Sequence, residues 1–341
     1  MKKVLLSLSI VLAFIIGGWL FWHDDAGAGD TVMHPTTKYA IWAFVIGALV
    51  TISLPIGALT GLALKPGPKM TAIMTAFGAG ALLAALSVEL IAPTVEEIIG
   101  HSSSPSQMAH DSHHAIATMS ALLIGCLAGG FLFYTLDELI NSQGGFLRKV
   151  GSTLGHIAKK HPEKTLDSKT VSDHQHAAGK ENGGAPMAIW LGLLIDGIPE
   201  SFVIGAGFLA ILSGRLAAGV DPSFTEVLPY TLIAGLFLSN FPEALSASLG
   251  MKKSGMGTSK IMMMWMSLVV IIAVGSLAGY YIGSSIPHVY EIGIEGLAAG
   301  AMLTMIAQTM IPEAVHLGGV SVVGLSTLIG YLSAVAFKLF E

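Results

Sequence analysis

The chain has 341 residues, 53% of them hydrophobic and only 11% charged, with a mean hydropathy of +0.72. Soluble domains carry about 25% charged residues, so a water-soluble fold is excluded. A formal net charge of -5 leaves no basic surplus for phosphates, which excludes nucleic acid as a partner, and the single cysteine, Cys126, excludes an intramolecular disulfide or a thiolate metal cluster.

A membrane-spanning helix needs about 20 mostly apolar residues. Nine runs qualify, at about 4–22, 39–64, 71–95, 116–140, 186–213, 227–250, 261–284, 292–315 and 319–337. The first, Val4 to Trp22, follows Lys2 and Lys3 and precedes Ala26-Gly27-Ala28. Its length favours a retained helix, with a cleaved signal peptide as the alternative. Residues 1–38 are therefore assigned to an N-terminal membrane helix and outer segment, and 39–140 to the first three core helices. Glu89, late in the third run, reads as an interfacial acid or the lining of an entrance. The loop 96–115 carries His101, His110, His113 and His114. Asp137 and Glu138 end the fourth run.

Residues 141–185 form one long polar connection holding Arg148, Lys149, Lys159, Lys160, Lys164, Lys169 and Lys180, together with His156, His161, His174 and His176. Its second half, Lys164 to Gly184, has the composition of a disordered segment. The loop histidines read either as solvated residues or as weak metal capture at two mouths of a pathway. Residues 186–341 supply the remaining five core helices.

Three acids lie deep within these spans. Asp196 and Glu200 are near the middle of the fifth run, and Glu243 is near the middle of the sixth, beside Asn240 and Ser239. A central acid facing lipid costs about 2.5 to 3.5 kcal/mol, so these must face the bundle interior or a wet cavity. Asp196 and Glu200 are i and i+4, and Asn240 and Glu243 are i and i+3, so each pair shares a helix face. Two consecutive antiparallel helices can thus bring four oxygen-bearing side chains to one level, a donor set suited to a divalent cation. Each glutamate follows a proline, in Ile198-Pro199-Glu200 and Phe241-Pro242-Glu243. Proline leaves the carbonyls of Ile195 and Leu238 without their helical partners and bends the helix. A third triplet, Ile311-Pro312-Glu313, stands near the end of the eighth run, one turn after Gln308.

Met262, Met263, Met264 and Met266 read as apolar filling. Gly275, Gly279 and Gly283, Gly125 with Gly129, and Gly296 with Gly300 form the four-residue pattern that lets helices approach closely. With the N-terminus inside, fourteen basic residues fall in cytoplasmic segments and only Lys38, Arg215 and Lys338 in outer ones, which places the C-terminus outside. No His-Glu-x-x-His, Gly-x-Ser-x-Gly or Walker-type phosphate loop occurs, so no enzymatic activity or ATP-driven pump is expected. Gly27-Ala28-Gly29-Asp30 matches a short intramembrane protease pattern but falls in an outer loop, without a membrane partner aspartate beside it.

At Asp196-Gly197-Ile198-Pro199-Glu200-Ser201 and Ser239-Asn240-Phe241-Pro242-Glu243-Ala244 the sequence resembles the ZIP (Zrt-/Irt-like protein) family of divalent metal transporters, in its bacterial branch with an extra N-terminal helix. Phe131 to Asp137 and Met310 to Ala314 are also similar to that family's corresponding stretches. The resemblance implies an all-α polytopic bundle with an eight-helix core, in the plasma membrane (the bacterial inner membrane). It also implies inward transport of a divalent metal, with Asp196, Glu200, Asn240 and Glu243 as ligands. Ser239, Glu89, Asp137, Gln308 and Glu313 would then lie along the pathway.

Zinc is the family default. Asp196, Gly197 and Ser239 stand where the family usually has histidine, asparagine, and histidine or glutamine. The following helix offers Ser276, Tyr280 and Tyr281 where an acid is common. An all-oxygen set favours manganese or iron(II) more than an imidazole site does. No organic cofactor is expected. The partners are metal ions and the lipid bilayer, with a homodimer left open. Two other readings remain: a non-transporting membrane metal sensor or partner subunit of the same fold, and a proton- or organic-cation-coupled carrier.

Overall fold

A computed structural model describes residues 37–100, 108–140 and 184–340. The first apolar run, most of the 1–38 segment, His101 and the 141–183 stretch with its histidines lie outside the described residues. So do the side chains of His110, His113 and His114.

Every regular element among the described residues is helical, and eight helices are long and apolar enough to cross a membrane. The chain is an all-α, multi-pass membrane bundle. The helices are α1 (Thr37–Leu64), α2 (Pro68–Glu96), α3 (Met108–Ile140), α4 (Gly184–Ala217), α5 (Tyr230–Lys253), α6 (Thr258–Gly283), α7 (His288–Gly318) and α8 (Val320–Ala336). A short 3-10 turn, Phe337–Phe340, follows α8. These match the eight core runs read from hydropathy, with ends that differ by at most four residues except at the start of α3, which begins eight residues earlier.

Local chemistry sets the connections. Lys65 closes α1 in the left-handed region at φ 47°, its N–H donating to the Gly61 carbonyl at 3.0 Å, and Pro68 opens α2. Proline at a helix start loses nothing, because its missing N–H would have had no partner. A single residue, Gly319 at φ +86°, joins α7 to α8, a conformation that glycine adopts without steric cost.

The packing repeats with two-fold logic. α3 lies against α7 as α8 lies against α2, α1 packs on α5 as α6 packs on α4, and α1 meets α6. Exchanging α1 with α6, α2 with α7, α3 with α8 and α4 with α5 therefore preserves the contacts. Exchanged helices are separated by an odd number of crossings and run in opposite directions, the arrangement of an inverted repeat. A trace survives in sequence: Leu123-Ile124-Gly125 on α3 and Leu328-Ile329-Gly330 on α8. A Cβ added at Gly125 would run into the Gly293 carbonyl of α7, and one at Gly330 into the Phe77 carbonyl of α2.

The four-residue glycine patterns mark these contacts. Gly129 and Gly300 press on the backbone of Leu297 and Cys126 at the α3–α7 seam, and Gly275 and Gly279 on Ser201 and Phe202 at the α4–α6 seam. The methionines divide: Met262 and Met264 pack on the core, whereas Met263 (69% exposed) and Met266 (45%) turn outward, so half of the expected filling lies on the outside of the bundle instead.

Buried polar groups are tied between helices. Ser276 Oγ on α6 donates to the Ala43 carbonyl of α1 at 2.8 Å, and Trp265 Nε1 donates to Ser248 Oγ of α5 at 2.8 Å. Ser248→Ala leaves the buried indole N–H unpaired. It should cost about 1 kcal/mol, read as a lowered thermal midpoint in detergent, while Ser285→Ala at an exposed helix end should leave the midpoint unchanged.

Candidate functional site

The two proline-glutamate stretches occupy the middles of α4 and α5, where each is gripped by different neighbours. On α4, Gly197 meets the Ile272 side chain of α6, and Ser201 lies under Gly275. On α5, Gly78 of α2 approaches the Leu238 carbonyl, Ser239 and Pro242, while Gly57 of α1 abuts the Phe241 carbonyl. The Leu238 carbonyl, one of the two that proline deprives of a helical donor, is thus covered closely by the backbone of α2. Both prolines lie inside continuous helix.

Glu200, Ser239 and Asn240 are buried, at 4%, 2% and 4% exposure, and Glu243 is half-buried. Ser239 donates its hydroxyl to the Leu236 carbonyl at 3.1 Å. The Asp196 side chain lies outside the described residues, although its backbone is helical. Among the described residues no group of three or more His, Cys, Asp or Glu lies close enough to hold a metal. In the motif stretches, the described part contributes only two such residues, Glu200 and Glu243, beside the amide of Asn240.

Of the residues expected along a pathway, the structure pairs four. The Gln308 side-chain amide on α7 donates to Asp137 Oδ2 on α3 at 2.8 Å. Asp137 is buried and Glu138 exposed, so of the two acids ending the fourth run only the second is solvated. Glu313 accepts a long contact from Ser246 Oγ at 3.5 Å. Ser246 lies three residues after Glu243 on the same face of α5, a link that sequence reading missed because serine carries no charge to mark it. Glu89 pairs with Lys338 at 3.0 Å.

An apolar cavity of about 180 Å³ lies between α3, α4 and α7. It is lined by Ile198 and Pro199 of α4, Leu136 beside Asp137, and Met305 three residues before Gln308. A second cavity, of about 360 Å³, lies at the end of the bundle that holds Glu89, and its walls carry Glu226, Glu291, Glu295 and Arg215. Nearby, Lys38 and Tyr39 both donate to Asp221 in the α4–α5 connection, at 3.0 and 3.1 Å. The Lys38 hydrogen bond, followed by that of Tyr39, holds the Asp221 carboxyl below its ordinary range. Glu226 is likewise lowered by the Ser223 backbone and hydroxyl in a capping box.

Two backbone features had no counterpart in the sequence reading. α2 widens to i to i+5 hydrogen bonding over Leu86–Ile91, and α7 does so over Ile306–Met310. The Ala92 N–H reaches Ser87, and the Ile311 N–H reaches Ile306. In each case the next residue is proline, Pro93 or Pro312. A proline ring clashes with the carbonyl four residues earlier, here that of Glu89 or Gln308, and widening the preceding turn relieves the clash. The wide turns therefore sit at exchanged positions of the repeat, and each contains a pathway candidate. The available signal is a proline within an apolar run, but in the sequence Pro312 stands out only through its triplet with Glu313, and Pro93 not at all.

Comparison with protein-family models gave no match, and none of the curated proteins searched matches the chain.

Proposed function

We propose that this chain is a ZIP-like transporter that carries a divalent metal cation into the cytoplasm through a mid-membrane carboxylate site. The observation that carries the proposal is Glu200, 4% exposed, in the middle of a membrane-capable helix and directly after the helix-bending Pro199. A carboxylate there must be balanced by a cation or a proton. Asp196, Glu200, Asn240 and Glu243 hold the substrate, and Ser239 lies beside them. Release then runs past the Pro199 cavity and Ser246 towards Asp137, Gln308 and Glu313, by the alternating movement of helix groups that inverted repeats support. On this reading the protein sits in a bacterial inner membrane with the lysine-rich end inside and the C-terminus outside.

An all-oxygen set favours manganese or iron(II) while leaving zinc as a substrate. Asp196→His tests the ligand role: in reconstituted vesicles offered a panel of divalent metals, preference should shift towards zinc. An unchanged preference would remove Asp196 from the ligand set. Metal binding without flux in the wild type would instead favour the sensor reading.

A further inference from the structure

The C-terminal turn contributes Lys338 to the lining of the 360 Å³ cavity. Lys338 Nζ donates to Glu89 Oε1 at 3.0 Å, with the lysine side chain 49% exposed and the glutamate 11%. Two residues on, the Phe340 ring packs on Tyr230, the first residue of α5, with centroids 6.4 Å apart, and Phe337 packs on Phe340. The turn thus ties the wide turn of α2 to the start of α5, the helix that carries Asn240 and Glu243. The same cavity is lined by Thr94 and Leu232, exposed by only 3% and 1%.

We propose that Phe337–Phe340 is a strap that closes this cavity, latched by Lys338 on Glu89, and that an arriving divalent cation opens it by taking the carboxylate from the lysine. What opens the strap rests on the transport reading; its existence does not. Lys338 also lines the cavity, so a cation entering there meets the same carboxylate. An ammonium and a divalent cation compete for those two oxygens, and the ion with the higher charge gains more from them. With its lysine half-exposed to solvent the ion pair is screened on one side, as an exchangeable latch requires. The junction with α8 at Phe337 supplies the hinge side, and the Phe340 contact on Tyr230 is given up with the latch.

The test uses the full chain in detergent, with Cys126→Ser and Thr94→Cys, and reads the rate of maleimide labelling at position 94. Lys338→Ala and, independently, Glu89→Gln should each raise that rate about fivefold, near the upper limit that an ion pair of this exposure restrains. Lys338→Arg should keep the slow rate. Manganese(II) should accelerate labelling when Lys338 is present and add nothing in Lys338→Ala. Unchanged labelling in both latch variants would overturn the strap, and a fast Lys338→Ala rate with no response to manganese(II) would overturn the exchange. Labelling needs no flux, so absent transport with an intact labelling response rejects the transport reading and leaves the strap standing.

Discussion

Glu200→Ala should lower the initial rate of divalent-cation uptake into vesicles by more than about tenfold, a loss that even an outer-shell partner of a metal ligand can produce. Glu243→Ala should do the same. The expectation follows from position: Glu200 is buried at the centre of α4, and Glu243 is half-buried at the centre of α5. Each follows a proline that leaves a carbonyl without its helical donor. Removing either carboxylate takes a full negative charge from the site, while the cation still has to leave water to enter it. Glu200→Gln keeps the shape and removes only the charge, so it should fail nearly as badly. Glu96→Ala and Glu138→Ala, at exposed positions, should transport like the wild type. Because protons compete with metal for carboxylates, wild-type affinity should fall as the solution is acidified. Uptake by Glu200→Ala or Glu243→Ala equal to the wild type would remove that carboxylate from the site.

The largest effect on folding is expected at the α3–α7 seam. A Cβ at Gly300 would overlap the carbonyl of Cys126, and one at Gly129 would overlap that of Leu297. Both obstacles are backbone atoms of a neighbouring helix, which cannot rotate aside as a flexible side chain can. Gly300→Val should therefore force α3 and α7 apart and cost on the order of 3 kcal/mol or more. The readout is loss of the monodisperse peak in detergent and a thermal midpoint lowered by several degrees. Gly324 provides the control, because nothing lies within 4 Å of its added Cβ on the exposed side of α8. Gly324→Ala should leave the midpoint unchanged or raise it slightly, since alanine is the better helix former.

The eight core helices were legible because bilayer thickness forces each to be a long apolar run, and such runs survive in composition whatever they pack against. The glycine spacing was legible as a sign of close packing. It did not name partners, since Gly125 meeting Gly293 and Gly330 meeting Phe77 depend on how distant helices are arranged. The acids of the candidate site could be named for the same reason as the helices: charge is scarce enough at that depth to stand out. Neutral members stand out only where they adjoin such an acid or a proline triplet, as Ser239, Asn240 and Gln308 do. Ser246 looks like any small residue in an apolar run, and the wide turns before Pro93 and Pro312 require knowing how a helix relieves a proline clash. Lys338 had served only as one of three basic residues at the sparsely charged end, and its partner Glu89 lies 249 residues away in the chain. Orientation rests largely on residues outside the described ones: within them, Lys65, Lys69, Lys252, Lys253 and Lys260 at one end face Lys38, Arg215 and Lys338 at the other.

The most direct measurement is uptake of manganese(II) and zinc(II) by the purified full-length protein in sealed vesicles, with and without an impermeant chelator outside. Saturable flux of at least one of these metals, abolished by the chelator and greatly reduced in Glu200→Gln, is the expected result. Flux of protons or organic cations that persists under thorough chelation, with no metal entering, would contradict divalent-metal transport.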